Sequence, residues 1–145
     1  MNFESEFKSN KWITEGMDEK GVKFAEEFGL HLCDKRTAED KFVGRTAMTT
    51  SQIRNVFGEV KRIQAKAQGA ADFQVYKSDF YLLRPKMAYA EARVLSKTQD
   101  SRIKDFRKIM ELAHMKVENN KENFQRFVDF FEAILAYHKF YGGRD

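Results

Sequence analysis

Two pairs of basic residues in the middle of the chain are spaced by seven positions: Arg54 with Lys61, and Lys86 with Arg93. Seven residues are close to two turns of an α-helix, so each pair would lie on one side of its helix. A row of cations of this kind binds phosphate groups by charge and does not read a base sequence. These rows are therefore candidate contacts for a sugar-phosphate backbone.

Two more cations adjoin these rows. Arg62 lies further round the first helix, and Arg84 precedes Pro85, the single proline of the chain. Proline disfavours helical geometry at the residue before it, which predicts a bend at Arg84. We expect this bend to project Arg84 and Lys86 together into a groove shared with the first row. The predicted binding residues are Arg54, Lys61, Arg62, Arg84, Lys86 and Arg93.

Small residues form a strip beside the first row, at Ser51, Gly58 and Ala65. A glycine inside a helix costs about 1 kcal/mol relative to alanine, so Gly58 calls for an explanation. The strip either permits close packing of another helix or lets a nucleic-acid backbone approach. Tyr89, beside the second row, either stacks on a base or belongs to the core.

Catalytic and metal-binding patterns are weak. Glu111 and His114 have the Glu-x-x-His spacing of di-iron bundles, but the second copy that such sites need is missing. His31, His138 and Cys33 read as core or surface residues. With no phosphate-binding glycine loop, nucleophile elbow or paired cysteines, the sequence predicts no catalytic residue, no metal and no cofactor.

Charge is distributed unevenly over the 145 residues. The net charge is −4 over residues 1–40, +7 over residues 41–97 and +1 over residues 98–145. A basic middle third indicates a partner with many negative charges, although solvated helix faces would also explain it. The acidic first forty residues would either pack on the bundle or shield the basic groove of a neighbouring copy.

The chain reads as a cytoplasmic protein. Its apolar stretches are far shorter than the roughly 20 residues that cross a membrane, and its N-terminus lacks the pattern of a secretory signal. A single cysteine fits a reducing compartment.

Hydrophobic periodicity predicts an all-α fold, a compact bundle of five to six helices in one domain spanning residues 1–145. No alternating strand pattern is present. Thr49 and Gln52 form a capping box, Asp72 and Asn119 are expected to cap later helices, and Gly142 is expected to stop the last one. The segment 35–48 has no period and is predicted to be a mobile loop. The predicted helices span about 17–34, 51–68, 72–83, 85–96, 101–117 and 120–142.

The last helix is apolar over about half its circumference, with Phe130, Ile134, Tyr137 and Tyr141 widening the stripe. Such a helix is either central in the bundle or partly exposed as an association surface.

Three stretches, TTSQIRNVFGEVKRI, FYLLRPKMAYAEAR and FVDFFEAILAYHKFYGG, resemble in the same order the small subunit of type III-A CRISPR effector complexes, the Csm interference complex. The resemblance covers about residues 48–143. It implies a non-catalytic helical subunit, present in several copies, that stacks as an inner filament and lines the channel where target RNA pairs with the guide. The implied partners are crRNA and target RNA, the other Csm subunits and further copies of the chain. The positions that match the basic elements of the family are Arg54, Lys61, Arg84, Lys86 and Arg93.

Two other functions stay open. A structural helical module without RNA contact would dock on acidic protein surfaces, and its binding would depend on Phe130 or Tyr137. An enzyme has the least support.

Overall fold

The computed structural model describes residues 1–143 as α-helices joined by turns. The α-helices are α1 (Phe3–Lys8), α2 (Glu19–Leu32), α3 (Thr50–Gln68), α4 (Lys77–Tyr81), α5 (Leu83–Leu95), α6 (Ile103–Met115) and α7 (Lys121–Phe140). A 3-10 helix, Phe73–Tyr76, leads directly into α4. No strand occurs among these residues, and five helices have 13 or more residues, so the predicted all-α bundle is confirmed. Arg144 and Asp145 lie outside the described residues.

Local signals set several helix ends as predicted. The Gln52 amide donates to Thr49 Oγ1 at 3.1 Å and the Thr49 amide donates to Gln52 Oε1 at 2.9 Å, which completes the capping box of α3. After α7, Gly142 has a φ of +97°, a left-handed conformation that glycine adopts without strain.

One cap and one helix differ from the prediction. Asn120, and not Asn119, caps α7 by accepting from the Asn123 amide, because Asn119 is in the left-handed conformation. Asp72 does act as a cap, but the turn that follows it is a 3-10 helix, so no single helix spans residues 72–83.

The chain bends at Leu82, two residues before the predicted bend at Arg84. Leu82 ends α4 and precedes the first residue of α5, which places Pro85 third in that helix and not first. The amide groups of a first helical turn have no partner within the helix, so proline fits there without loss of a hydrogen bond.

The core is one cluster of apolar side chains with many aromatic rings. In one layer, Trp12 contacts Phe24 at a ring separation of 4.9 Å, and Phe24 contacts Phe28 at 5.6 Å and Phe130 of α7 at 5.7 Å. The Trp12 indole also donates to Asp18 Oδ1 at 2.8 Å, which ties this ring to the N-cap of α2. This layer holds α2 against α7.

The N-terminal residues pack on this bundle. Phe7, Trp12 and Ile13 are almost fully buried, so the first forty residues form part of the core, one of the two roles considered for them. The sequence analysis missed α1, because a six-residue helix is too short to show a period.

The segment between α2 and α3 contains no helix. It is tied at its base, where the Met48 amide donates to the Leu32 carbonyl at 2.8 Å and Arg102 Nη2 lies 2.8 Å from Asp34 Oδ1. The mobility of residues 35–48 stays a prediction.

The segment formed by α4 and α5 runs back along α3. Lys66, in the last turn of α3, meets Asp79 of α4, and Glu59, in the middle of α3, meets Lys86 of α5. None of the helices within residues 1–143 has the length and apolar character that a membrane crossing requires. The cytoplasmic location stays a prediction.

Candidate nucleic-acid interface

The first predicted row, Arg54 and Lys61, is exposed on α3 along the flank next to α7. Two contacts locate this flank: the Phe57 ring lies 5.0 Å from the Phe131 ring of α7, and Gln64 donates to Gln125 of α7 at 3.0 Å. The Lys61 ammonium lies 5.7 Å from the centre of the Phe57 ring. Neither cation of this row takes part in an ion pair among the described residues, so both charges are available to a ligand.

The strip of small residues faces solvent. A Cβ atom added at Gly58 would meet nothing within 4 Å, and the side chains of Ser51 and Ala65 are exposed. Among the helices that the structure describes, none packs on this strip. The helix propensity lost at Gly58 is therefore not returned by packing against residues 1–143.

On the other side of the strip, α3 is joined to its neighbours by ion pairs. Glu59 Oε2 lies 3.1 Å from both Arg62 Nη2 and Lys86 Nζ, and Asp79 Oδ2 lies 2.7 Å from Lys66 Nζ. The hydrogen bond from Lys86, with a further one from Arg62, lowers the pKa of Glu59, so this carboxylate is ionised at neutral pH. Three cations against two carboxylates leave this cluster with a net positive charge.

The second row continues from this cluster along α5. Arg93 is two helical turns beyond Lys86 on the same flank of α5, and it lies toward the N-terminal end of α3 because the α4–α5 segment runs back along that helix. Arg93 is exposed and enters no ion pair among residues 1–143. Tyr89 is 69% exposed, so of its two predicted roles the core role is wrong.

Arg54, Lys61, the small strip, Arg62, Lys86 and Arg93 together form one outward surface, which we call the α3–α5 face. It unites five of the six predicted cations. A small apolar hollow of about 120 Å³ lies in it between the two helices, bordered by Val56, Leu83, Met87 and Ala90 with Lys86 at its edge.

Arg84 does not belong to this face. It lines a different hollow, with Tyr81 and His114, whereas Lys86 lines the hollow between α3 and α5. Two residues along a helix correspond to about 200°, so Arg84 and Lys86 point to opposite sides of α5. The expectation that the bend projects both into one groove is wrong.

The hollow beside Arg84 contains no charged histidine at neutral pH. Burial lowers the pKa of His114 to about 4, and its Nε2 pairs with the Phe80 carbonyl oxygen at 2.6 Å. The His114 ring also stacks on the Phe80 ring at 3.8 Å. His114 therefore acts as a packed core side chain.

The remaining chemistry-bearing residues are also engaged in structure. Arg107 lies 2.6 Å from Glu111 Oε2, and His138 Nε2 lies 2.7 Å from the Met48 carbonyl oxygen. Burial raises the pKa of Cys33 above its usual value, which keeps the thiol protonated. Among residues 1–143 no three His, Cys, Asp or Glu side chains are grouped in a way that would hold a metal ion.

The sequence analysis missed the two carboxylates of this region. Glu59 and Arg62 are three residues apart, a spacing that signals a helical ion pair, and this signal was available. The pairing of Glu59 with Lys86 joins residues 27 positions apart and has no local signal.

Comparison with known proteins gives a consistent result. The family described as Csm2 Type III-A matches residues 23–144, which extends the resemblance upstream from residue 48 to include most of α2. A Streptococcus thermophilus protein named "CRISPR system Cms protein Csm2" is 31% identical over 103 residues, which are 70% of this chain and 79% of that protein. No solved structure matches the chain significantly.

Proposed function

The chain belongs to the Csm2 Type III-A family, the non-catalytic small subunits of the CRISPR Csm complex, and on that premise we propose that its α3–α5 face binds the backbone of target RNA or of the guide–target duplex. Family membership confirms the predictions that the chain is a Csm subunit and that it is not an enzyme. The RNA contacts and the stacking of copies into an inner filament are proposals.

The observation that carries the RNA proposal is the exposed strip at Gly58, with unpaired cations on one side and a net positive cluster on the other. A strand lying along the strip would reach the surface of α3 without meeting a side chain larger than a methyl or hydroxymethyl group. Its phosphates would then lie between Arg54 and Lys61 on one flank and Arg62 and Lys86 on the other. Charge of this kind attracts RNA of any sequence.

The ion pairs of Glu59 do not prevent this binding. Its partners Arg62 and Lys86 are about half exposed, and exposed ion pairs contribute about 0–1 kcal/mol each. A phosphate group can therefore replace the carboxylate at little cost.

The first test removes the charges of Arg54 and Lys61, the row that enters no ion pair among the described residues. Replacing Arg54 and Lys61 together by alanine should weaken the binding of single-stranded RNA to a similar degree for all sequences. The slope of log affinity against log salt concentration should fall by about 1.4, because each phosphate contact to a single strand contributes about 0.7. Fluorescence anisotropy with the full-length chain measures both quantities, and target-RNA binding by the reconstituted Csm complex provides the second readout.

The matched control replaces Lys20 and Lys23 of α2, which are exposed, enter no ion pair among the described residues and change the net charge equally. Equal weakening by both double variants would mean that net charge alone attracts RNA. Unchanged affinity and slope in the Arg54 and Lys61 variant would remove these residues from the RNA site.

A second test is expected to strengthen binding. Replacing Glu59 by glutamine removes the negative charge that competes with phosphate for Arg62 and Lys86, so RNA affinity should rise by a few fold. A fall in affinity with unchanged thermal stability would contradict a phosphate site at this cluster.

The second candidate function, a structural protein-interaction module, is supported by only one of the two residues predicted for it. Phe130 is fully buried and is not available to a partner, which corrects one of its two predicted residues. At the end of α7, however, Phe140 is 75% exposed beside Tyr137 and Tyr141, and this aromatic cluster suits contact with another subunit or a further copy. Replacing Phe140 by alanine should then weaken self-association in sedimentation velocity and leave RNA affinity unchanged.

A further inference from the structure

The segment between α2 and α3 carries a large aromatic side chain whose position no contact among residues 1–143 explains. Phe42 is 76% exposed, the most exposed aromatic ring among the described residues. Lys41 precedes it and Arg45 follows three residues later, and both are exposed and outside any ion pair of the described residues. An isolated ring between two available cations therefore projects from this segment.

The backbone that presents Phe42 is held firmly on both sides. Asp34 is in the left-handed conformation, with a φ of 52°, and its Oδ2 accepts from the Thr46 amide at 3.0 Å. The Gly44 amide donates to the Cys33 carbonyl at 3.1 Å. A Cβ atom at Gly44 would overlap the Asp34 carboxylate, so only glycine fits.

This segment leads directly into the N-terminal end of α3, one end of the α3–α5 face. Phe42 is seven residues before Thr49, the N-cap of α3, and the backbone between them is anchored to α2 at Met48. Arg54 is in the second turn of α3, and Arg93 of α5 lies toward the same end. A strand that follows the face toward this end would leave it close to the segment that carries Phe42.

We propose that Phe42 stacks on an unpaired base of the RNA strand whose backbone lies on the α3–α5 face, with Lys41 and Arg45 holding the adjoining phosphates. This inference rests on the proposed function. Aromatic rings among cations are the usual means of binding single strands, because every base has a face on which a ring can stack. Lysine is depleted in protein interfaces, and two cations without ion pairs beside the ring favour a polyanion as its partner.

The experiment compares Phe42 variants of the full-length chain, using single-stranded RNA of mixed sequence and a guide–target duplex as probes. Phe42→Ala should weaken single-strand binding about 5- to 150-fold, the equivalent of about 1–3 kcal/mol for one stacked base, and should leave the salt slope unchanged. Duplex affinity should not change, because paired bases are not available for stacking. Phe42→Tyr and Phe42→Trp should retain affinity, and Phe42→Leu should lose it.

The Trp variant adds a direct signal. Trp12 is 1% exposed, so quenching of tryptophan emission by RNA would report the ring at position 42. The control is Val22→Ala, which removes an exposed apolar side chain of α2 outside the α3–α5 face and should leave RNA affinity unchanged.

Each alternative outcome overturns the inference in a distinct way. Full binding by Phe42→Leu would indicate an apolar contact and not stacking, and equal weakening on single strand and duplex would exclude an unpaired base. Normal binding by Phe42→Ala, together with weakened binding by the Arg54 and Lys61 variant, would refute the stacking role and leave the proposed function intact. If wild-type protein and all variants bind RNA equally weakly, the proposed function fails and the stacking role fails with it.

Discussion

Two helices of this protein each carry a glycine in their interior, and the two glycines have opposite surroundings. A Cβ atom at Gly29 of α2 would lie 2.8 Å from the His138 amide nitrogen and 2.8 Å from Tyr137 Cβ of α7. A Cβ atom at Gly58 of α3 would meet nothing within 4 Å. Gly29 thus permits two helices of the core to cross closely, whereas Gly58 has no role in packing against the part of the chain that the structure describes.

The difference separates a packed half of the molecule from an open one. α2 and α7 enclose aromatic side chains and leave no space at their crossing. α3 and α5 bury one side each and expose cations, small residues and Tyr89 on the other. A surface that gives up helix propensity without gaining contacts is typical of a surface reserved for a partner.

The largest effect is expected from two buried histidines. His138 lies beside Gly29 at the crossing of α2 and α7, and His114 of α6 packs beside Phe80 of α4. Burial lowers both pKa values, that of His114 from 6.5 to about 4. Between pH 6.5 and pH 4, His114 binds a proton in the unfolded chain but not in the folded chain, so the free energy of unfolding falls as the pH decreases. The contribution of His114 is roughly 3 kcal/mol. Urea unfolding between pH 7 and pH 4 measures this loss.

Replacing His114 by glutamine isolates this contribution. The variant should be less stable at pH 7, because glutamine stacks poorly on Phe80, but its stability should depend less steeply on pH between 6.5 and 4. Parallel pH profiles for the variant and the wild type would show that His114 is protonated equally in both states.

The next effect tests the packed half. Gly29→Ala should destabilise the fold by about 1–3 kcal/mol, because the new methyl group meets backbone atoms of α7 that cannot move independently. Urea unfolding provides the measurement. If the variant were as stable as the wild type, the backbones of α2 and α7 would have to be further apart at Gly29 than the 2.8 Å contact indicates.

The smallest expected effect is a gain in stability and not a loss. Gly58→Ala should stabilise the protein by about 1 kcal/mol, since alanine favours the helix and its methyl group finds open space. At this chain length the melting temperature should rise by about 2–4 °C. A loss of stability would place an unseen contact at the strip and remove the contrast with Gly29.

A larger side chain at position 58 tests the stability of the helix and RNA binding in one variant. Gly58→Gln should also be at least as stable as the wild type, but it should weaken RNA binding because it fills the strip that the proposed strand occupies. Unchanged binding would show that RNA does not approach α3 this closely.

Much of the fold could be predicted because its signals are local. The capping box of Thr49 and Gln52, the stop at Gly142 and the buried stripes of the long helices all follow from short spacings. The first residues of α4 and α5 were misplaced, since proline excludes a helix interior but is accepted anywhere in the first turn. The short α1 had no period to detect.

By itself, the sequence determined which side chains share one side of each helix, because helical geometry repeats every 3.6 residues whatever the helix packs against. That repeat placed Arg54 with Lys61 and Lys86 with Arg93. Only the tertiary structure decided that the two rows border a common face, that Glu59 pairs with Lys86 and that Arg84 lies on the other side of α5. These features depend on how helices distant in the chain are rotated against one another, and the packing of the whole core sets that rotation.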